Sequence, residues 1–188
     1  LVVATVAGRV SRLDTHGQAV WHYDTEGPVF SSLVRVSSHV VVGSHDAKLH
    51  ALDLDTGALR WQLQLTAPIY STPTIITLGP HPTRCDERAT AKQTPFVGAL
   101  VIAFDTNGFF SVACAKHGEE IVRGQLPGQV FSSPVTVPVG PHAWSLVVGC
   151  RDDMLYCLNI EFVHSVEGSS QLAPTPSCCQ EEIVVRRP

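Results

Sequence analysis

Short apolar runs rich in Val, Leu and Ile recur along the chain and are broken by Gly, Asp or Asn every 6 to 10 residues. This rhythm predicts short antiparallel strands joined by tight turns. Where the pattern is cleanest, strands are expected at 40–44, 48–53 and 58–65, with the inner strand of the next unit at 70–76. No stretch carries the helical stripe of a crossover, which excludes a parallel α/β sheet and a solenoid of helix pairs.

The pattern repeats. A shift of 40 residues sets Trp21 on Trp61, Gly17 on Gly57 and Phe30-Ser31-Ser32 on Tyr70-Ser71-Thr72, and Asp14 meets Asp53 once one turn residue is skipped. A shift of 61 carries Gly57 to Gly118 and Tyr70-Ser71-Thr72-Pro73 to Phe131-Ser132-Ser133-Pro134. A fourth copy repeats Val40-Val41-Val42-Gly43 as Leu146-Val147-Val148-Gly149, and Asp46 as Asp152. The spacing is about 40 once an insertion of 21 residues, read as a loop at 77–98, is removed. A smaller excess around Gly140-Pro141-His142 extends the same connection in the next copy.

Four-stranded units of about 40 residues repeated radially are the plan of a β-propeller. The expected fold is all-β, with about four antiparallel blades at 2–27, 28–66, 67–127 and 128–162 and a flexible tail at 163–188. The first blade starts at its second strand and the last ends at its third. Since six to eight blades normally close a ring, this incomplete set leaves an open edge and an exposed blade face. On its own the chain is expected to be marginal or prone to aggregate. Asp53, Thr56 and Gly57 are read as the turn between third and fourth strands, with the glycine at positive φ. Trp61 is expected to project from the outer strand onto the next blade.

Composition sharpens this picture. Against 25 Val, 14 Gly and 13 Pro stand only three Lys and one Met, a balance that favours strands and turns over long helices. With 44% hydrophobic residues, disorder as the main state is excluded. A formal charge of −4 without a Lys/Arg cluster argues against nucleic acid and anionic membranes as partners. No apolar run approaches the roughly 18 residues of a membrane span. Six cysteines without a CxxC pair favour a reduced, cytoplasmic setting, with Cys114, Cys150 and Cys157 as small buried hydrophobes. Residues 1–10 read as a strand under way, so the chain is expected to be a piece of something longer.

The run from Ala51 through Asp53, Thr56 and Gly57 to Trp61 resembles the AxDxxTGxxxW signature of pyrroloquinoline-quinone-type propeller repeats. The first copy keeps Asp14, Gly17 and Trp21; the third keeps Gly118 but has Cys114 and Val122 in place of Asp and Trp. Three kinds of protein carry such repeats. A quinone-dependent oxidoreductase would bind quinone and calcium at the axis, and its adjacent-cysteine disulfide has a formal counterpart in Cys178-Cys179, which falls in the polar tail. A bacterial outer-membrane assembly lipoprotein would need an exported precursor. The sequence also resembles the carboxy-terminal propeller of the animal β-alanine-activating enzymes, an acyl-CoA-synthetase-like family. That resemblance implies a parent ligase of the adenylate-forming type that uses ATP and a phosphopantetheine carrier, with this segment non-catalytic and free of cofactors. It would recognise a protein partner or position its own carrier domain. A general protein-interaction scaffold, gripping a partner through loop 77–98, is the further alternative.

Candidate chemistry has a plainer reading in each case. Ser44-His45-Asp46 holds the residue types of a hydrolase triad, but consecutive residues at a strand end alternate in direction, so a turn is expected. His39, His45 and His50 show neither a helical HxxxH face nor an HxH pair for zinc. His81 and His142 follow Gly-Pro in the two expanded loops and are read as solvated. Phe30, Tyr70 and Phe131 could stack a planar ligand but are read as wedges between blades, and the Ser/Thr pairs after them as binders of backbone near the axis. No catalytic, cofactor-binding or metal-ligating residue is expected; the residues singled out are the structural motif Asp14, Gly17, Trp21, Ala51, Asp53, Thr56, Gly57, Trp61 and Gly118.

Overall fold

A computed structural model describes residues 1–77, 98–140, 143–163 and 182–186. They form four antiparallel sheets. Blade 1 is β1 (Val2–Ala4), β2 (Arg9–Leu13) and β3 (Ala19–Asp24). Blade 2 is β4 (Val34–Val36), β5 (His39–Gly43), β6 (Lys48–Asp53) and β7 (Leu59–Gln64). Blade 3 is β8 (Thr74–Thr77), β9 (Ala99–Phe104), β10 (Phe109–Cys114) and β11 (Glu120–Gln125). Blade 4 is β12 (Val135–Gly140), β13 (Ala143–Gly149), β14 (Leu155–Val163) and β15 (Glu182–Arg186). The fold is a β-propeller with an open ring, and blade 1 begins at its second strand.

Two expectations are corrected. The inner strand expected from residue 70 starts at Thr74, because the preceding Ser71 sends its hydroxyl to Phe104 O at 2.9 Å and Pro73 has no N–H for a ladder. The segment read as a flexible tail contains β15, which pairs antiparallel with β14 from Asn159↔Arg186 to Val163↔Glu182. Ile183-Val184-Val185 is the β-branched run that the polar stretch before it obscured. Blade 4 therefore has a fourth strand. The insertion, the rest of the tail, His81, His142, Cys85, Cys178 and Cys179 lie outside the described residues.

Each blade turns the same way between its second and third strands. The fourth turn residue is left-handed in all four: Gly8 (φ +88°), Ala47 (+64°), Gly108 (+81°) and Asp153 (+64°). A second shared feature precedes the next turn, where the ladder slips by one residue at Arg12/Leu13, Ala51/Leu52 and Val112/Ala113. These bulges tilt the outer strand and leave room for the Asp-to-Gly turn.

The core lies between sheets rather than within one. Val10, Trp21 and Val29 meet Val40, Val42 and Leu52 across blades 1 and 2. Val41, Leu49, Ala51 and Trp61 meet Val101, Ala103, Ala113 and Ala115 across blades 2 and 3. Across blades 3 and 4, Ile102, Phe110 and Val112 meet Leu146, Val148 and Leu158. Alternate residues along each strand thus serve opposite neighbours.

Candidate functional site

Three sets of side chains concentrate the chemistry of the molecule: the joints that hold blades together, a buried polar knot, and an aromatic rim near the axis. The joints begin with the turns. Asp14 accepts from the amides of His16 and Gln18 at 2.8 and 2.9 Å. Asp53 accepts from the amides of Asp55 and Thr56 and from the Thr56 hydroxyl, at 2.9 to 3.0 Å, and pairs with Arg60. The Arg60 guanidinium, helped by Thr56, holds the Asp53 carboxyl well below the usual carboxylate range. Such turns present a glycine to the neighbouring blade.

On that glycine sits the neighbour's tryptophan. Trp21 lies over Gly57, whose missing Cβ would come 2.6 Å from the indole Cδ2, and its ring N–H donates to Leu54 O at 3.1 Å. Trp61 repeats this over Gly118, at 2.5 Å, and donates to Ala115 O at 3.1 Å. Arg12 adds a second strut to Leu54 O at 2.8 Å and Asp55 Oδ1 at 3.0 Å. Ala51 lies opposite Trp61 in the ladder and is fully buried, the small residue that lets the indole lie flat.

Asp105 makes a different joint. Fully buried, it accepts from the Thr66 amide and hydroxyl and the Ala67 amide through one oxygen. Its other oxygen accepts from the amides of Asn107 and Phe109. One carboxylate thus clamps the chain leaving blade 2 to a turn of blade 3.

The polar knot joins blades 1 and 2. His50 Nε2 lies 2.9 Å from Asp46 Oδ2, while its Nδ1 lies 3.1 Å from both Tyr23 Oη and Gln62 Nε2. A carboxylate can only accept, so the His50 proton is on Nε2 and Nδ1 receives Tyr23 and Gln62. Burial pushes the His50 pKa down against the pull of Asp46. Ser44, from the would-be triad, instead serves its turn: its hydroxyl donates to Gly27 O at 3.2 Å and accepts from the Asp46 amide at 3.3 Å. His39 reaches Ala115 O at 3.2 Å. His39 and His50 serve separate partners while His45 Nε2 is buried without a hydrogen-bond partner, and among the described residues no three His, Cys, Asp or Glu gather as metal ligands.

Near the axis, Phe30 stacks on Tyr70 at 5.1 Å and 20°, and Tyr70 meets Phe131 at 5.1 Å. His45 fills the notch against Phe30 and Tyr70, at 4.7 and 4.0 Å, and Arg151 covers Phe131 at 4.4 Å. The rings touch one another in a row, and Phe30 is 49% exposed, so they form a rim rather than the buried wedges expected between blades. Beneath them the serines bond the ends of second strands: Ser31 to Gly43 O at 2.9 Å, Ser71 to Phe104 O at 2.9 Å and Ser132 to Gly149 O at 2.8 Å. The next residues link blade to blade, Ser32 N donating to Thr72 Oγ1 at 3.0 Å and Thr72 N to Ser133 Oγ at 2.9 Å. Of the three thiols foreseen as buried, Cys114 is, whereas Cys150 and Cys157 are only half-buried because they lie on blade 4.

A family described as outer membrane protein assembly factor BamB, of the quinone-type repeat class, matches residues 1–77. Residues 1–77 match propeller repeats of the pyrroloquinoline-quinone type. Among relatives, the β-alanine-activating enzyme of Drosophila melanogaster is 34% identical over 173 residues, covering 84% of this chain and 15% of the relative. The chain therefore spans less than a fifth of that relative's length. Two solved propellers have the same fold. BamB from Moraxella catarrhalis superposes with a TM-score of 0.57 at 18% identity, covering 84% of this chain and 42% of that one. The WD40 β-propeller domain of Doa1 gives 0.59 at 14%, covering 82% and 44%. Trp21, Gly57 and Trp61 of the Trp-on-Gly joints lie within the matched residues, and Gly118 lies beyond them. Sequence reasoning missed the Asp105 clamp and the His50 knot, whose partners stand 39 and 27 residues away and whose residue types do not recur in the other copies.

Proposed function

We propose that this propeller is the non-catalytic part of an ATP-dependent, adenylate-forming ligase that activates β-alanine and loads it on a phosphopantetheine carrier. There it binds a protein partner or positions the carrier domain. The observation that carries this reading is the 34% identity to the fly β-alanine-activating enzyme along 84% of the chain. The use of the polar groups supports it: Asp46, Asp53, Asp105 and His50 are engaged in joints between blades and turns. The rim of Phe30, Tyr70, Phe131 and Arg151 offers an aromatic surface with a cation, suited to a protein or a phosphate-bearing arm. Free thiols at Cys150 and Cys157 fit a cytoplasmic setting.

The test uses the full-length protein. Phe131→Ala with Arg151→Ala is expected to leave β-alanine-dependent pyrophosphate exchange intact while slowing transfer from the loaded carrier. Loss of exchange in a folded variant would defeat the non-catalytic role. Dye reduction on adding quinone and calcium to the wild type would establish the oxidoreductase alternative instead.

A further inference from the structure

The tight turn between β4 and β5 holds polar groups that the blade joints leave free at one end. Val36 pairs with His39 in the ladder, so the connection is Ser37-Ser38 alone, and both serines are exposed. Arg35, exposed as well, folds its Nε back to Ser37 O at 3.2 Å. Among the described residues no carboxylate pairs with its guanidinium. Beside it, Ser38 Oγ lies 3.3 Å from His39 Nδ1, and His39 Nε2 lies 3.2 Å from Ala115 O, just after β10 of blade 3. A carbonyl can only accept, so the His39 proton is on Nε2 and the Nδ1 lone pair receives the Ser38 hydroxyl. Ala115 O is also the acceptor of the Trp61 ring N–H. An exposed hydroxyl therefore stands one imidazole away from the joint between blades 2 and 3. The repeat does not demand that imidazole: the shifts that carry Gly43 to Phe104 and to Gly149 carry His39 to Leu100 and to Ser145.

We propose that Ser38 is a phosphorylation site whose phosphate is received by Arg35 and His39 and tightens the joint between blades 2 and 3. In the transfer, Ser38 Oγ attacks the γ-phosphorus of ATP. The Oγ–P bond forms, the bond to the β,γ-bridging oxygen breaks, ADP leaves, and the hydroxyl proton passes to a base of the kinase. Arg35, three residues before Ser38 and unpaired, offers that enzyme a guanidinium to hold. The product carries about two negative charges and presents only acceptors to Nδ1. Nδ1 keeps a partner by taking up a proton, which makes His39 an imidazolium and its Nε2–H a charge-assisted donor to Ala115 O. Arg35 gives the phosphate a second charge-assisted bond. The imidazole bonds Ser38 and not Ser37, and Ser44, farther along the same stretch, is fully buried with its hydroxyl donated to Gly27 O. The inference is independent of the ligase reading.

The test uses the full-length protein with ATP, magnesium and a purified serine kinase that selects an arginine three residues before its target. Trypsin cuts after Arg35 and Lys48, so residues 36–48 leave as one peptide for mass spectrometry. Phosphate is expected on Ser38 of that peptide, and Arg35→Ala is expected to lower its incorporation by about tenfold or more. In the phosphorylated protein, hydrogen exchange at residues 113–116 is expected to slow by about tenfold, and His39→Gln to abolish the slowing while Ser38 is still phosphorylated. Phosphate on Ser37 or Ser44 instead, or none in this peptide while the kinase modifies a control substrate, would overturn the proposal. So would phosphate on Ser38 that leaves exchange at 113–116 unchanged, or that slows it equally in His39→Gln, since the imidazole would then not carry the effect.

Discussion

Blades 2 and 4 place equivalent residues at equivalent ladder positions and bury them very differently. On blade 2, Val41 faces Ala51 across the ladder, with Leu49 beside them, and all three are fully buried against blade 3. On blade 4 the counterparts are Val147, Cys157 and Leu155; Val147 faces Cys157 in the same way, yet Leu155 is 77% exposed. Val135 and Val139 on β12 continue this open face, each 61% exposed. Strand pattern alone therefore does not decide burial. Each blade is patterned apolar on both sides for two neighbours, and where one is missing, side chains worth about 1.5–3 kcal/mol each when buried remain in water.

Several changes would break or sharpen this contrast. The largest effect is expected from Trp61→Ala, which removes the indole between blades 2 and 3 and is expected to cost about 3–5 kcal/mol in denaturant unfolding. A cost near zero would mean that these blades do not pack through it. Next, Asp105→Ala strips five donors of their acceptor at a fully buried site. A loss of about 3 kcal/mol is expected, against about 1 for Ser44→Ala at the matching turn of blade 2.

On the open face, Val137→Thr and Val139→Thr are expected to change stability by no more than about 0.5 kcal/mol and to reduce aggregation followed by light scattering. The matching Val41→Thr buries a hydroxyl and is expected to cost about 1–3 kcal/mol. If the two faces respond alike, their difference in burial is not real in solution.

A smaller effect is expected from pH. Burial holds His50 and His45 below the usual imidazole value, so the unfolded chain binds their protons first. Stability is then complete above about pH 6.5 and declines as pH falls through the lower folded values. The urea midpoint should drop between about pH 7.5 and 5.5, and His50→Gln should flatten the drop. An unchanged slope would place the titration elsewhere. Smallest of all, Ala47→Gly relieves the left-handed backbone that Gly108 accommodates freely, for a gain of at most about 1 kcal/mol.

Much of this architecture was legible because it is periodic. The 40-residue shift that paired Trp21 with Trp61 also paired Gly17 with Gly57, and the skipped residue at Asp53 corresponds to a longer turn in blade 2: Asp53 N bonds Ala58 O, where Asp14 N bonds Gln18 O. The Ser/Thr pairs were legible for the same reason. What stayed hidden departs from the period. Asp105 replaces Ser44 and Cys150 at its turn position, so no repeat announces its reach to Thr66. His50 finds Tyr23 across a sheet boundary, and β15 follows a long stretch that interrupts the strand rhythm.

The order of the strands also divides the disc into two sides. Turns between second and third strands, together with the links from blade to blade, fall on one side, where Thr25 N meets Gly8 O and Leu65 N meets Ala47 O. The tryptophan turns share the other side with the connections between first and second strands, as the Leu54 N to Ser38 O bond records. β8 ends at Thr77 and β9 begins at Ala99 on that second side. Extra chain can thus be gained or lost there without disturbing the aromatic rim opposite, and the two surfaces are free to diverge toward different tasks.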